Sequence, residues 1–233
     1  MNIFTLVLAF LPGFAWLFFY LQEDLHPEPK RLILKTFILG GIFALIALVT
    51  ELLFDCGANQ FQNCLTQKTD IRNVILPSLI IFSLIEEFFK FGAAYFSIHK
   101  DPAFNEPVDA MIYAIVAALG FATVENLGAL SLGNGAQTGL LSNALEIASL
   151  RFVGATLLHS LTSGIIGYYW AVSIRDFGEK RFIVMGIAIA TGLHAFFNYL
   201  IINYWNGFYP ILLVVIIGFF VLNDFENLKR KKI

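Results

Sequence analysis

The run NVILPSLIIFSLIEEFFKFGAAYFSIH, residues 73–99, decides how this chain folds. It is apolar nearly end to end, and at about 1.5 Å per residue it is long enough as a helix to cross a hydrocarbon layer of about 30 Å. Yet Ser83, Glu86, Glu87 and Lys90 fall in its middle. On helical spacing Ser83, Glu87 and Lys90 share one face and Glu86 lies on the adjoining edge. Such a helix is tolerable in a membrane only if that face turns away from lipid, and other helices must then surround it.

Working outward, six further stretches have the length and polarity of spans: about 2–22, 32–54, 108–131, 144–174, 182–203 and 208–224. Each ends in polar, Pro or Gly punctuation, as in Glu23-Asp24-Leu25-His26-Pro27-Glu28-Pro29. The expected fold is all-α, a polytopic transmembrane helical bundle of about seven spans. Residues 1–233 are expected to form one membrane-embedded domain. Hydrophobic residues make up 58% of the chain and charged ones 14%, with a mean hydropathy of +0.75. A soluble domain has roughly 45–50% and 25%. No basic stripe interleaved with aromatics is present, so nucleic acid is not an expected partner; the lipid bilayer is. The N-terminus lacks a basic n-region, so the first run reads as a retained helix.

Orientation follows from Lys and Arg. Eleven of the fifteen fall in loops of one side, including Lys30, Arg31, Lys100, Arg175 and the tail Lys229-Arg230-Lys231-Lys232, against Lys68 and Arg72 on the other. The bias places the N-terminus outside and the C-terminus in the cytoplasm, in the cell (inner) membrane. Cys56 and Cys64 both fall in the outer loop after the second span, where a disulfide staple can form; two unpaired thiols are the alternative reading.

More polar residues interrupt the later spans: Glu125 and Asn126, then Arg151, His159, Ser160 and Ser163, then Thr191, His194 and Asn198. At 1.5 Å per residue, Glu86 lies about 20 Å from the outer end of its span, His159 about 23 Å from the start of its own, and His194 about 18 Å from the inner end of the next. These depths overlap near the middle of the bilayer. A charge at a helix centre costs roughly 2.5–3.5 kcal/mol. Glu86, Glu87, Lys90, Glu125 and Arg151 left alone would cost about 12–17 kcal/mol, comparable with the whole stability of a typical protein at about 5–15 kcal/mol. They must pair, hydrate or neutralise one another in a shared interior chamber. Buried acids and imidazoles held this way acquire the shifted protonation that acid–base chemistry uses. The structural alternatives are an ion pair for Lys90, a snorkelling Arg151 and interhelical hydrogen bonds for Asn126 and Asn198.

These residues resemble the PrsW intramembrane proteases, relatives of the CAAX prenyl endopeptidase superfamily. The similarity is carried by Glu86-Glu87-Phe88-Phe89-Lys90, by Glu106-Pro107-Val108-Asp109-Ala110-Met111-Ile112-Tyr113, by Gly120-Phe121-Ala122-Thr123-Val124-Glu125-Asn126, by His159-Ser160 and by His194-Ala195-Phe196-Phe197-Asn198. Pro29-Lys30-Arg31 also fits, and the likeness runs from about residue 27 to 200. It implies an intramembrane endopeptidase cutting a membrane-protein or peptide substrate, as the founding member does in making the first cut in an anti-sigma factor. The implied catalytic set is Glu86, Glu87, Glu125, His159 and His194.

Hydrolysis by an activated water is the expected chemistry. Glu86 or Glu87 would deprotonate the water, and His159 and His194 would stabilise the oxyanion and protonate the leaving amine. Glu125 would orient a histidine or position the water, with Lys90, Asn126, Asn198 and Arg151 supporting the site. Two readings of the cofactor stand: one divalent metal, zinc by its donor types, held by Glu87, His159 and His194, or none. A proton-coupled membrane transporter and a non-catalytic membrane scaffold are the rival functions. A transporter built from inverted repeats would show internal symmetry, and the sequence has no such repeat.

Overall fold

The computed structural model describes residues 3–24, 26–58, 76–133, 140–176, 178–204 and 207–230. Eight α-helices run through them in the order α1 (Ile3–Tyr20), α2 (Lys30–Ala58), α3 (Leu76–Ile98), α4 (Pro107–Gly133), α5 (Leu140–Val153), α6 (Ala155–Arg175), α7 (Lys180–Asn203) and α8 (Phe208–Arg230). No strand occurs among the described residues. Six segments are long and apolar enough to cross a membrane: α1, α2, α4, α5 with α6, α7 and α8. The 23-residue α3 has the length of a span too. Glu86, Glu87 and Lys90 lie at its centre, where in the other six the charged residues sit nearer the ends or are fewer. Cys64 and the loop that would hold it lie outside the described residues, as does the side chain of Cys56.

Helix α4 is the axle of the bundle. Every residue from Val108 to Thr123 is buried, because α6, α2, α1 and α3 pack around it. Its start is set locally. Pro107 takes the first helical position, where its missing N–H costs nothing. The Asp109 carboxylate reaches back to the N–H groups of Asn105 and Glu106 at 2.9 and 2.8 Å, closing the first turn. Absent side chains set how closely α2 approaches. A methyl group at Gly40 would sit 2.0 Å from the Ala117 carbonyl oxygen, and one at Gly120 would sit 1.9 Å from that of Phe37. Each glycine thus lets the opposite backbone touch it.

The outer surface is apolar. Phe18 and Phe219 are each 72% exposed and Leu53 68%, an arrangement that is stable only against lipid. The protein is a multi-pass membrane protein.

The span expected over 144–174 is a single candidate span in the structure, Ala144–Arg175, but not a straight one. It bends at Gly154, which separates α5 from α6. Helical bonds run up to Gly154 N–H on Leu150 O and resume with Leu158 N–H on Gly154 O. The Phe152 carbonyl, freed by the bend, accepts instead from the Trp16 indole N–H of α1 at 2.9 Å. An exposed carbonyl at this depth would be costly, so Trp16 stabilises the bend. The consequence is positional: His159 sits just after the bend, in the first turns of α6.

Candidate active site

Glu87 and Lys90, one turn apart on α3, are both wholly buried, with Lys90 Nζ donating to Glu87 Oε1 at 2.7 Å. The same oxygen accepts from Thr162 Oγ1 at 3.0 Å and faces His194 Nδ1 at 2.8 Å. A ring nitrogen against this carboxylate carries the proton, which leaves His194 Nε2 as the bare nitrogen.

Lys90 fixes the second ring as well. Its Nζ lies 2.9 Å from His159 Nδ1. An ammonium has donors only, so Nδ1 must accept and the proton must sit on Nε2. That proton points at Glu125 Oε2, 2.8 Å away. Arg151 Nη2 holds the same Glu125 oxygen at 3.1 Å, and its Nε donates to Asn126 Oδ1. Asn126 in turn donates to Thr156 Oγ1 at 3.2 Å and to the Ala9 carbonyl at 3.3 Å, tying α1, α4 and α6 together.

Both bare ring nitrogens face one atom. Glu86 Oε2 is 3.8 Å from His159 Nδ1 and 3.7 Å from His194 Nε2, and it is buried with no hydrogen-bond partner. The rings meet edge-on, with centroids 5.0 Å apart. The donor atoms of Glu86, His159 and His194 lie within 4.8 Å of one another. Tetrahedral zinc with bonds of about 2.0–2.2 Å sets its ligands roughly 3.3–3.6 Å apart, so a contraction of about 1.5 Å or less would seat it. Glu87 and Glu125 hold the far nitrogens of the two rings, the arrangement usual behind metal-bound imidazoles. By donor set, geometry and orphaned oxygen, these residues fit a divalent metal. Glu86, not the expected Glu87, is the acid positioned with the two imidazoles; Glu87 gives Oε1 to Lys90, Thr162 and His194, and its Oε2 is also buried without a hydrogen-bond partner.

The expected residues therefore converge, in three groups. Glu86, His159 and His194 form a triangle. Glu87 with Lys90, and Glu125 with Arg151 and Asn126, stand behind the two rings. Asn198 is half-buried one turn beyond His194 and makes no hydrogen bond to the cluster. Arg151 does not snorkel: α5 ends just beyond it at the bend, which sets its guanidinium beside Glu125. Ser160 is buried and donates to the Leu157 carbonyl at 2.7 Å, so it is not presented as a nucleophile.

Two participants are additional to the sequence reading. Thr162 supplies a hydroxyl to Glu87. Glu51 of α2 has a buried oxygen, Oε1, without a partner, and lies close enough to Glu125 and Glu86 to act on their charge. Its signal was a carboxylate near the end of an apolar span, the same kind of anomaly that marked Glu86. Thr162 carried no such signal, since a threonine is unremarkable in a transmembrane helix.

The fold and this cluster define a membrane-embedded protein with a buried acid–imidazole centre suited to hydrolysis. Residues 28–223 match the PrsW family intramembrane metalloprotease profile, and the chain belongs to that family. It is similar to Protease PrsW of Halalkalibacterium halodurans, 25% identical over 205 residues covering 87% of this chain and 86% of that one. It is similar also to Protease PrsW of Geobacillus kaustophilus, 30% identical over 174 residues covering 74% and 65%. A third similar protein is Protease PrsW of Bacillus subtilis, 24% identical over 204 residues covering 86% and 84%. No solved structure matches the chain. Family membership makes the protein a membrane protease and decides against the transporter and scaffold alternatives.

Proposed function

We propose that this protease hydrolyses a peptide bond of a membrane-protein substrate at the Glu86–His159–His194 triangle, without a covalent intermediate. The observation that carries the reading is Glu86 Oε2, a buried and unpartnered carboxylate oxygen faced by two unprotonated imidazole nitrogens, His159 Nδ1 and His194 Nε2. Glu86, His159 and His194 would hold one divalent metal, zinc by donor type, which when bound supplies a Lewis acid and an acidified water. Glu87 keeps the proton of His194 on Nδ1, and Glu125 keeps that of His159 on Nε2. With Lys90 and Arg151 they hold both rings in the orientation hydrolysis needs. Glu125, with 29% of its side chain exposed, is the most accessible acid of the cluster. Its Oε1, not engaged by His159 or Arg151, would take a proton from the attacking water and pass it to the leaving amine.

A second reading rests on a specific contact. Lys90 Nζ occupies the His159 Nδ1 lone pair at 2.9 Å, the lone pair a metal would need. In that reading no metal binds, Glu86 is the general base, and the Lys90 ammonium offsets the charge that develops. In the metal reading Lys90 turns fully to Glu87. Metal analysis of the purified protein, with cleavage assayed before and after strict chelation, separates them: activity that survives complete metal removal sinks the metal reading.

The same account takes the N-terminus as outside, on the Lys and Arg bias, counts α3 as a seventh span, and treats the chain as one catalytic domain. By likeness to the family the reaction belongs to regulated proteolysis of the anti-sigma-factor type. A protease-domain deletion strain complemented with wild type or Glu86→Gln, compared by membrane proteomics, would list the proteins cut.

A further inference from the structure

Away from the active site, α1 and α2 diverge to leave a groove of about 400 Å³. Its walls are apolar along most of their length, with Phe10, Phe14 and Leu17 from α1 and Ile33 and Phe37 from α2. Phe14 is 51% exposed, and Leu34 and Ile38, also at the groove, are 60% and 52% exposed, so it opens sideways to lipid. One end differs. There Asp24, Glu28 and Lys30 line it. Asp24 is only 9% exposed. Its Oδ1 accepts from the His26 N–H at 2.9 Å, but its Oδ2 is buried with no partner.

We infer that this groove holds one phospholipid with a primary-amine headgroup, its ammonium on Asp24 and its phosphate near Lys30. Three observations converge. Asp24 Oδ2 lacks a donor in an otherwise apolar cleft, and a buried carboxylate oxygen needs one. The cation it calls for must arrive with an apolar body to fill the walls. Lys30 at the same end offers a positive partner to an anionic phosphate next to that cation. Scale agrees. From Phe10 to Tyr20, the end of α1, the helical rise is about 15 Å, the thickness of one leaflet, and Asp24 lies in the turn beyond it. Glu28 is already engaged, accepting from Tyr113 Oη at 2.6 Å.

The test uses the full-length protein, delipidated in detergent and offered an equimolar mixture of phosphatidylethanolamine and phosphatidylcholine with matched chains. Native mass spectrometry counts what stays bound. The two lipids differ in whether the nitrogen can donate a hydrogen bond, so a roughly tenfold excess of bound phosphatidylethanolamine is expected. Asp24→Asn should abolish that excess while leaving substrate cleavage intact. Equal retention of both lipids by the wild-type protein overturns the inference without need of any variant. So does a preference that persists in Asp24→Asn, and so does a groove found instead to crosslink to the substrate's own helix.

Discussion

His194 Nδ1 and Glu87 Oε1 lie 2.8 Å apart, and that one contact decides which nitrogen of the ring is free. Lys90 and Thr162 hold the same carboxylate oxygen, so Glu87 is bound to His194, whereas Glu86 faces both rings without a hydrogen bond. On the proposed mechanism the adjacent acids have separate tasks.

Substitution should expose the difference. Glu87→Gln strands the wholly buried Lys90 ammonium and should cost about 3–5 kcal/mol, read as a lower melting temperature in detergent together with lost cleavage. Glu86→Gln should leave the melting temperature nearly unchanged and abolish cleavage alone. Adding Lys90→Met to Glu87→Gln should restore part of the stability and none of the activity.

Glu125 stands behind His159 as Glu87 stands behind His194. If the triangle holds a metal, Glu125→Gln should weaken its affinity about 10–100-fold, measured by competition with a chelating dye. Glu86→Gln and His194→Ala should remove it. Unchanged affinity in Glu125→Gln would mean that His159 is oriented by some other group.

The bend at Gly154 makes Trp16 a positioning residue. Trp16→Phe keeps the ring and removes the N–H that serves the Phe152 carbonyl, which should cost about 1 kcal/mol of stability. Cleavage should fall further than that loss explains, because His159 and Arg151 lie on either side of the bend. The check is the ratio of activity to folded fraction across a temperature series.

Outside the spans, Glu28 carries a carboxyl raised to about 7, mainly by burial, with the neighbouring Asp109 charge adding to it. In the unfolded chain it would titrate near the ordinary glutamate value. Between the two values the folded protein binds more protons, so stability is greatest at the acid end and falls as pH rises from about 4.5 to about 7. A melting-temperature series over that window should show this decline, and Glu28→Gln should flatten it.

Much of the site was legible because membrane burial makes charge conspicuous. Ser83, Glu87 and Lys90 announce an inward face by spacing alone, and the depths of Glu86, His159 and His194 forecast their meeting. The separate tasks of Glu86 and Glu87 were not legible. Neighbours on a helix point about 100° apart, and which of them meets the histidines depends on how α3 is rotated against α6 and α7. The bend was hidden since hydropathy runs on unbroken through 144–174 and a lone glycine does not mark a break. Of the two readings open for Arg151, support of the site or snorkelling, the structure favours the first, because the bend sets its guanidinium beside Glu125. The close approach of α2 and α4 at Gly40 and Gly120 was not legible, because the two glycines lie 80 residues apart in sequence and nothing local pairs them.

The most direct test profiles newly formed protein N-termini in membranes from cells carrying the wild-type chain or Glu86→Gln at equal abundance and equal melting temperature. Cleavage products of membrane proteins should occur with the wild type and be absent with Glu86→Gln. The same products at the same rate in both strains would contradict a hydrolytic centre built on Glu86, His159 and His194.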